Sequence, residues 1–345
     1  MLTQTTSTSS SAPSSGADPS TRDDLHRLLE AGLRWSGSYR GRLSNHLPMV
    51  WQALHELGAT RAQLQCWTET YGHLLEPVTA LRPAGDPGGD RLGQPGSEAG
   101  WRAHFLARIE ALGQRQALRE ALVLLMPGVG AVAFHGLIRT AHAVAAGHAG
   151  ELAAALAHWA EHYEVLTEAV ESHGAEPLAW PAWLRALQAL PAPAQLPRGL
   201  ISDQLRAWAR VPGFAQQAGA LAITSGSLQD LALSAARAYA ASGHFTLLHL
   251  VTASHAMSVL QPLWPTPLLP RAFTGAAAAA WCASGASLPT SPVSMMTSAW
   301  PALIAAASTQ TDAHVIKLVH AAWMLDRRWP DDAWRAAAVR ALANR

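Results

Sequence analysis

Between Arg237 and Asp312 the chain carries one formally charged side chain, Arg271. So long a stretch without charge cannot coat a solvated surface, so it has to be packed inside something. A membrane is one candidate, but Pro262, Pro265, Pro267 and Pro270 interrupt the stretch, followed by Pro289, Pro292 and Pro301. No unbroken apolar run of about 20 residues survives, and a spanning helix needs one. Three histidines lie there as well, His244, His249 and His255. The expectation is a buried protein core, with no membrane partner.

Periodicity sets the element type. Apolar residues recur at helical spacing nearly everywhere, and no alternating strand pattern stands out. Helices are expected at 22–35, 49–57, 60–75, 98–112, 114–126, 131–146, 150–172, 201–210, 228–241, 244–261, 271–283, 299–307, 312–328 and 331–343. Thr21 to Asp24 resembles an acidic capping box. Pro48 suits a first helical turn and Gly58 a helix end. Loops at 82–100 and 189–199 separate groups of helices, and no fixed-period repeat is present. The fold class is therefore all-α, a multi-helix single domain over 21–345 with a buried histidine-rich core, or two halves joined near 190–200. Residues 1–20 read as a disordered polar tail, because they lack the charged start and apolar run of a signal peptide.

Composition narrows the function. Charged residues are 14% of the chain, hydrophobic ones 49%, and the formal net charge is +1. A nucleic-acid binder would carry a clustered basic face, so none is expected as partner. Cys66 and Cys282 are the only cysteines, which fits a reducing cytoplasm better than a disulfide framework.

Lys317 is the only lysine, in His314-Val-Ile-Lys317-Leu-Val-His320. A solvated surface charge tolerates arginine for lysine, but a site that needs a compact, deprotonable amine does not. On a helix, His314, Lys317 and His320 span an arc of about 120° with the lysine central. Surface pairing with Asp312 or snorkelling is the plain alternative. Burial would lower the amine pKa, and a neutral amine can add carbon dioxide to become a carbamate, an anionic oxygen ligand. Histidines with one carboxylate-like oxygen match the donors of non-haem iron oxygenases.

Sixteen histidines are present. His26, His55, His73, His104, His148, His158, His162 and His173 sit amid charged or loop residues and read as ordinary. His46 precedes a helix, where Asn45 or Ser44 could orient it. His135 and His142 share a helix face but stand about 10.5 Å apart along the axis, too far for one ion. The helix that begins near His244 can supply His249 or His255 to one metal, hardly both.

The run Gly128-Val-Gly130-Ala-Val-Ala133, with Glu151 beyond, has dinucleotide-motif spacing. It lacks the flanking strands that motif requires.

Four segments together resemble the questin oxidase-like family: Gly41 to Met49 (Gly-Arg-Leu-Ser-Asn-His-Leu-Pro-Met), Phe134 to Arg139 (Phe-His-Gly-Leu-Ile-Arg), His249 to Ser254 (His-Leu-Val-Thr-Ala-Ser) and Asp312 to Lys317 (Asp-Ala-His-Val-Ile-Lys). The resemblance spans roughly 25–330. It implies an oxygenase that uses O2 on an anthraquinone or related aromatic polyketide. Resemblance to the ring-cleaving members implies a mononuclear Fe(II) site of four histidines and a carboxylated lysine. Carried over by motif, these fall on His46, His135, His249, His314 and Lys317, and the resemblance favours His249 over His255. His142, His255 and His320 become pocket-lining candidates, and Trp51, Trp264 and Trp281 candidate walls for a flat substrate. Two rival readings are an NADPH-dependent Baeyer–Villiger monooxygenase, whose nucleotide site is not visible, and a non-catalytic helical binding protein.

Overall fold

The computed structural model describes residues 20–79, 92–166, 176–288 and 298–343. The tail expected at 1–20, apart from Ser20, lies outside the described residues. So do 80–91, which include most of the first expected loop, and 167–172 of the helix expected at 150–172. Among the described residues the chain forms sixteen α-helices and one short hairpin, so it is all-α as expected. In order these are α1 (Arg22–Gly32), β1 (Ser38–Tyr39), β2 (Leu43–Ser44), α2 (Leu47–Glu56), α3 (Arg61–Gly72), α4 (Glu98–Leu112), α5 (Gln114–Leu125), α6 (His135–Ala146), α7 (Ala149–Glu161) and α8 (Trp180–Gln188). Then follow α9 (Ile201–Ala209), α10 (Phe214–Gly219), α11 (Ser227–Ser242), α12 (Phe245–Leu260), α13 (Arg271–Ser284), α14 (Trp300–Ala307), α15 (Ala313–Arg328) and α16 (Asp332–Ala343).

Local chemistry explains most of the boundaries. Thr21 and Asp24 form the capping box of α1 in both directions. Pro48 sits in the first turn of α2, where its missing N–H has no partner to lose. The uncharged stretch forms α12, α13 and α14. Only the first two meet the expectation of a buried core: the proline-rich turn at 265–268 is exposed, and α14 buries only Leu303 and Ala307. Along α12 nearly every side chain from Thr246 to Ser258 is buried, and along α13 Phe273 to Ala283 are buried. Each buried Leu or Val there contributes about 1.5–3 kcal/mol relative to exposure. Among the described residues no helix is long and apolar enough to cross a membrane.

Three expectations are corrected. A helix over 131–146 does not form as one piece: Val132, Ala133 and Phe134 are left-handed, with φ of 42°, 55° and 67°, and α6 begins at His135. The helix expected at 150–172 stops at Glu161. Its end carbonyl, Ala160, accepts from the Gly93 N–H at 2.8 Å, and the Glu161 carboxylate accepts from the Gly96 N–H at 2.6 Å. A neighbouring loop has taken a carbonyl that another turn would have used, and the Glu161 side chain holds that loop in place. Helices α8 and α10 were not expected. Pro181 masks the first, yet it occupies a first turn, and Trp183, Leu184 and Leu187 make the buried face.

Four helices close into a ring: α2 packs on α6, α6 on α12, α12 on α15, and α15 back on α2. Bundle cores of this kind are where facing helices can pool side chains.

Candidate metal centre and its cavity

The Ser38–Ser44 hairpin delivers the chain to α2. At the junction Asn45 accepts from the Leu47 N–H at 2.9 Å and donates to the Ser36 carbonyl at 3.0 Å. Asn45 therefore fixes the loop-to-helix turn and has no hydrogen bond to the His46 ring, while Ser44 pairs with His158. His46 is left as the N-cap residue, with its backbone N–H donating to the Tyr71 hydroxyl at 3.2 Å.

His46, His135 and His314 each bring one donor atom within 4.8 Å of the others. The His46 and His135 rings stack at 4.8 Å, and the His46 and His314 rings meet edge-on at 4.6 Å. His249 stands at the edge of this triad, with its ring 5.2 Å from both His135 and His314.

The outward nitrogens are tied to acceptors. His135 Nδ1–H donates to the Val132 carbonyl at 2.6 Å, and His249 Nδ1–H donates to the Phe245 carbonyl at 3.0 Å. His314 Nδ1 lies 3.1 Å from the Asp312 carboxylate, which also caps α15. A carbonyl only accepts, so a neutral ring bound this way keeps its proton on Nδ1 and presents a bare lone pair on Nε2. His135 Nε2 is 2.8 Å from His46 Nε2. A lone pair at that distance needs a shared proton or a cation, and two ligands in neighbouring positions on one ion stand about 3.0 Å apart. The donor set therefore fits a metal ion. Burial, reinforced by the neighbouring positive charges, holds His46, His135 and His249 well below the usual imidazole pKa, so they are neutral lone-pair donors.

Lys317 is 2% exposed, which rules out snorkelling. Its charge acts on His46, His135, His249 and His314, and on His142 further along the bundle. Burial lowers its pKa from 10.5 to about 7, with Asp312 opposing. Asp312 is engaged instead with the backbone and ring of His314.

The left-handed run at 132–134 is local strain at the site. An L residue pays about 1–2 kcal/mol for that conformation, and such strain persists where surrounding structure imposes it. Here it reverses the chain so that the Val132 carbonyl faces the ring of His135, three residues on. Gly136 follows because a Cβ there would lie 2.4 Å from the Trp159 ring. Arg139 then anchors α6 to α7 through a buried two-point pair with Glu151, at 2.6 and 2.9 Å.

A cavity of about 270 Å³ opens over the triad, lined by Tyr39, Arg42, Leu43, Ser44, Val132, Ala133, Leu200, Ile201 and Phe245 together with His46, His135, His249 and His314. Phe245, half exposed, sits edge-on to His249 and His314 at its mouth. The expected tryptophan walls are absent from this lining: Trp51 and Trp281 are core, and Trp264 packs on the core's edge. His142, His255 and His320 do not line the cavity either, because they lie deeper between the same helices.

Sequence reasoning passed over Tyr39, Tyr71 and Phe245, and treated His158 as ordinary. His158 is 1% exposed and bonds Ser44 at 3.2 Å, with His162 against it. The signal was available: it lies on α7 among Leu152 to Trp159, which are buried all round. The glycines of the dinucleotide-like run are packing positions, with Gly128 against the Tyr163 ring and Gly130 against Leu166.

Fold and geometry together define a helical-bundle protein that gathers imidazole donors beneath an apolar cavity. The chain belongs to the questin oxidase-like family, whose model matches residues 43–322. No curated protein matches it.

Proposed function

We propose that the protein is a metal-dependent oxygenase of the ring-cleaving type, acting on an anthraquinone-like or related aromatic polyketide. Iron would be held by His46, His135, His249 and His314, with carboxylated Lys317 as the oxygen donor. Family membership supports an oxygenase of aromatic polycycles. The observation that carries the metal is the convergence of ring lone pairs whose far nitrogens are tied to acceptors.

Helix direction adds a second support. On α2, α6, α12 and α15 alike, the site residue lies at or near the N-terminus, so four positive helix ends face the same region. That field favours an anion, whether a substrate phenolate or a lysine carbamate, and disfavours a lysine ammonium. Neutral Nζ would attack carbon dioxide, forming the N–C bond of a carbamate as one C=O π pair moves onto oxygen, and the ammonium proton so formed would pass to water. When bound, iron would supply a site for dioxygen and substrate together. Leu43, Leu200, Ile201 and Phe245 would hold a flat apolar ring and keep water out. Arg42, 2.6 Å from Asp203, would present positive charge at the cavity edge.

The decisive experiment is metal analysis of purified protein with oxygen uptake on an anthraquinone substrate. At least one iron per chain and turnover without NADPH support the reading, and no metal after Fe(II) reconstitution sinks it. A strict NADPH requirement would favour the Baeyer–Villiger type instead. If Lys317 carries the carbamate, Lys317→Arg should damage activity as much as Lys317→Ala. Lys317→Glu should restore part of the metal affinity, and reconstitution should depend on bicarbonate. A fully active Lys317→Arg variant would remove the lysine from the site.

A further inference from the structure

The same four helices carry a second histidine cluster farther from their N-termini. His142 of α6, His255 of α12 and His320 of α15 are all buried. Their ring centroids stand 5.2 Å apart for His255–His320, 5.4 Å for His142–His320 and 6.4 Å for His142–His255. Imidazoles bound tetrahedrally to one ion at about 2.0–2.1 Å have centroids about 5 Å apart. Two separations are already near that value, and the third must close by about 1 Å.

Two of the three, His320 and His142, are oriented in the manner of the upper cluster. His320 Nε2–H donates to the Glu56 carboxylate at 2.5 Å, and His142 Nδ1–H donates to the Gln52 side-chain oxygen. In a neutral ring each contact places the proton on one nitrogen and leaves the other as a lone pair. The remaining nitrogen of His320, Nδ1, is fully buried and has no hydrogen-bond partner. A buried polar atom left unpaired on an otherwise bonded ring points to a missing ligand. A carboxylate behind a histidine is the arrangement that orients metal-bound imidazoles.

We propose that His142, His255 and His320, with Glu56 orienting His320, form a second site for a divalent first-row transition ion. It lies about 9–10.5 Å along the helices from the upper cluster, since the paired histidines are six or seven residues apart. Imidazole donors suit zinc, iron, nickel and copper, and the single carboxylate supplies a compensating charge.

The test is Co(II) titration of the full chain after metal removal, followed by visible absorption and equilibrium dialysis. Two Co(II) per chain are expected. His46→Ala with His249→Ala should lose one, and His142→Ala with His320→Ala should lose the other. Where the lower pair of substitutions prevents folding, as judged by thermal melting, Glu56→Gln takes its place. That variant keeps the side-chain volume and should weaken one equivalent roughly 10–100-fold. One Co(II) in the parent protein that survives the lower-layer changes overturns this site and leaves the proposed function standing. One that vanishes only with the lower-layer changes supports this site and removes the upper one. Two equivalents unaffected by His142, His320 or Glu56 changes also overturn it.

Discussion

The upper and lower histidine layers are built by the same four helices from nearly the same donors, yet their surroundings differ. The upper layer sits at the helix N-termini, beneath an apolar cavity, and its rings are tied to two backbone carbonyls and a capping aspartate. The lower layer sits about two turns along, and its rings are tied to side chains of α2, Gln52 and Glu56. Backbone anchors depend on how a helix begins, and side-chain anchors depend on what the neighbouring helix offers. The upper layer is therefore shaped by helix starts, including the left-handed turn before His135, and opens onto the cavity. The lower layer is shaped by packing and has no part in the cavity lining. Lys317 lies between, its charge felt by all four upper rings and by His142 below.

The sharpest contrast should come from the two α12 histidines. His249→Ala is expected to cut oxygen uptake by about 100-fold or more, because a lost ligand removes the metal's contribution. His255→Ala should leave upper-layer metal content unchanged. If metal assays showed the reverse, the division of labour between the layers would be wrong.

Next in size is the lysine between them. In metal-free protein kept free of carbon dioxide, Lys317→Met should raise stability by a few kcal/mol at pH 7, measured by denaturant unfolding. The unfolded amine keeps the ordinary value of 10.5, whereas the buried one lies at about 7. Between those values only the unfolded chain holds the proton, so parent stability climbs as pH rises. The advantage of methionine should therefore be full at and below about pH 7 and shrink toward pH 10. A pH-independent difference would mean that the amine is solvated.

Arg139 tests whether the layers share one support. Arg139→Leu leaves Glu151 as an unpaired buried carboxylate and should destabilise the fold by about 3–5 kcal/mol at most. Because α6 carries both His135 and His142, metal affinity should fall in both layers. A loss confined to one layer would show that the ends of α6 move independently. The smallest effect is expected at Ala133→Gly. Relief of a left-handed alanine is offset by added unfolded-state freedom, leaving a gain under about 1 kcal/mol by thermal melting.

Helix type was readable wherever apolar spacing ran long, as in α12, α13 and α15, and caps were readable at Thr21 and Pro48. The break at 132–134 was not, since Val and Ala carry no turn signal and the strain is imposed by tertiary contacts. Distances between paired histidines on one helix could be worked out, which ruled out His135 with His142 on one ion. Which ring on α12 would stand with His135 and His314, and that the others would form a separate layer, depended on helix crossings that one-dimensional spacing does not contain. The cavity wall was missed for the same reason, because Leu200, Ile201 and Phe245 are ordinary until α9 and α12 are brought over the triad.

The solitary lysine also makes the chain a reporter of its own opening. An endoprotease that cuts only after lysine has one bond to cleave, between Lys317 and Leu318, in the middle of buried α15. Cleavage must wait until that helix leaves the bundle, so its rate under native conditions counts the population of open molecules. A carbamate or a bound ion that holds Lys317 in place should slow that single cut, with no label attached to the protein.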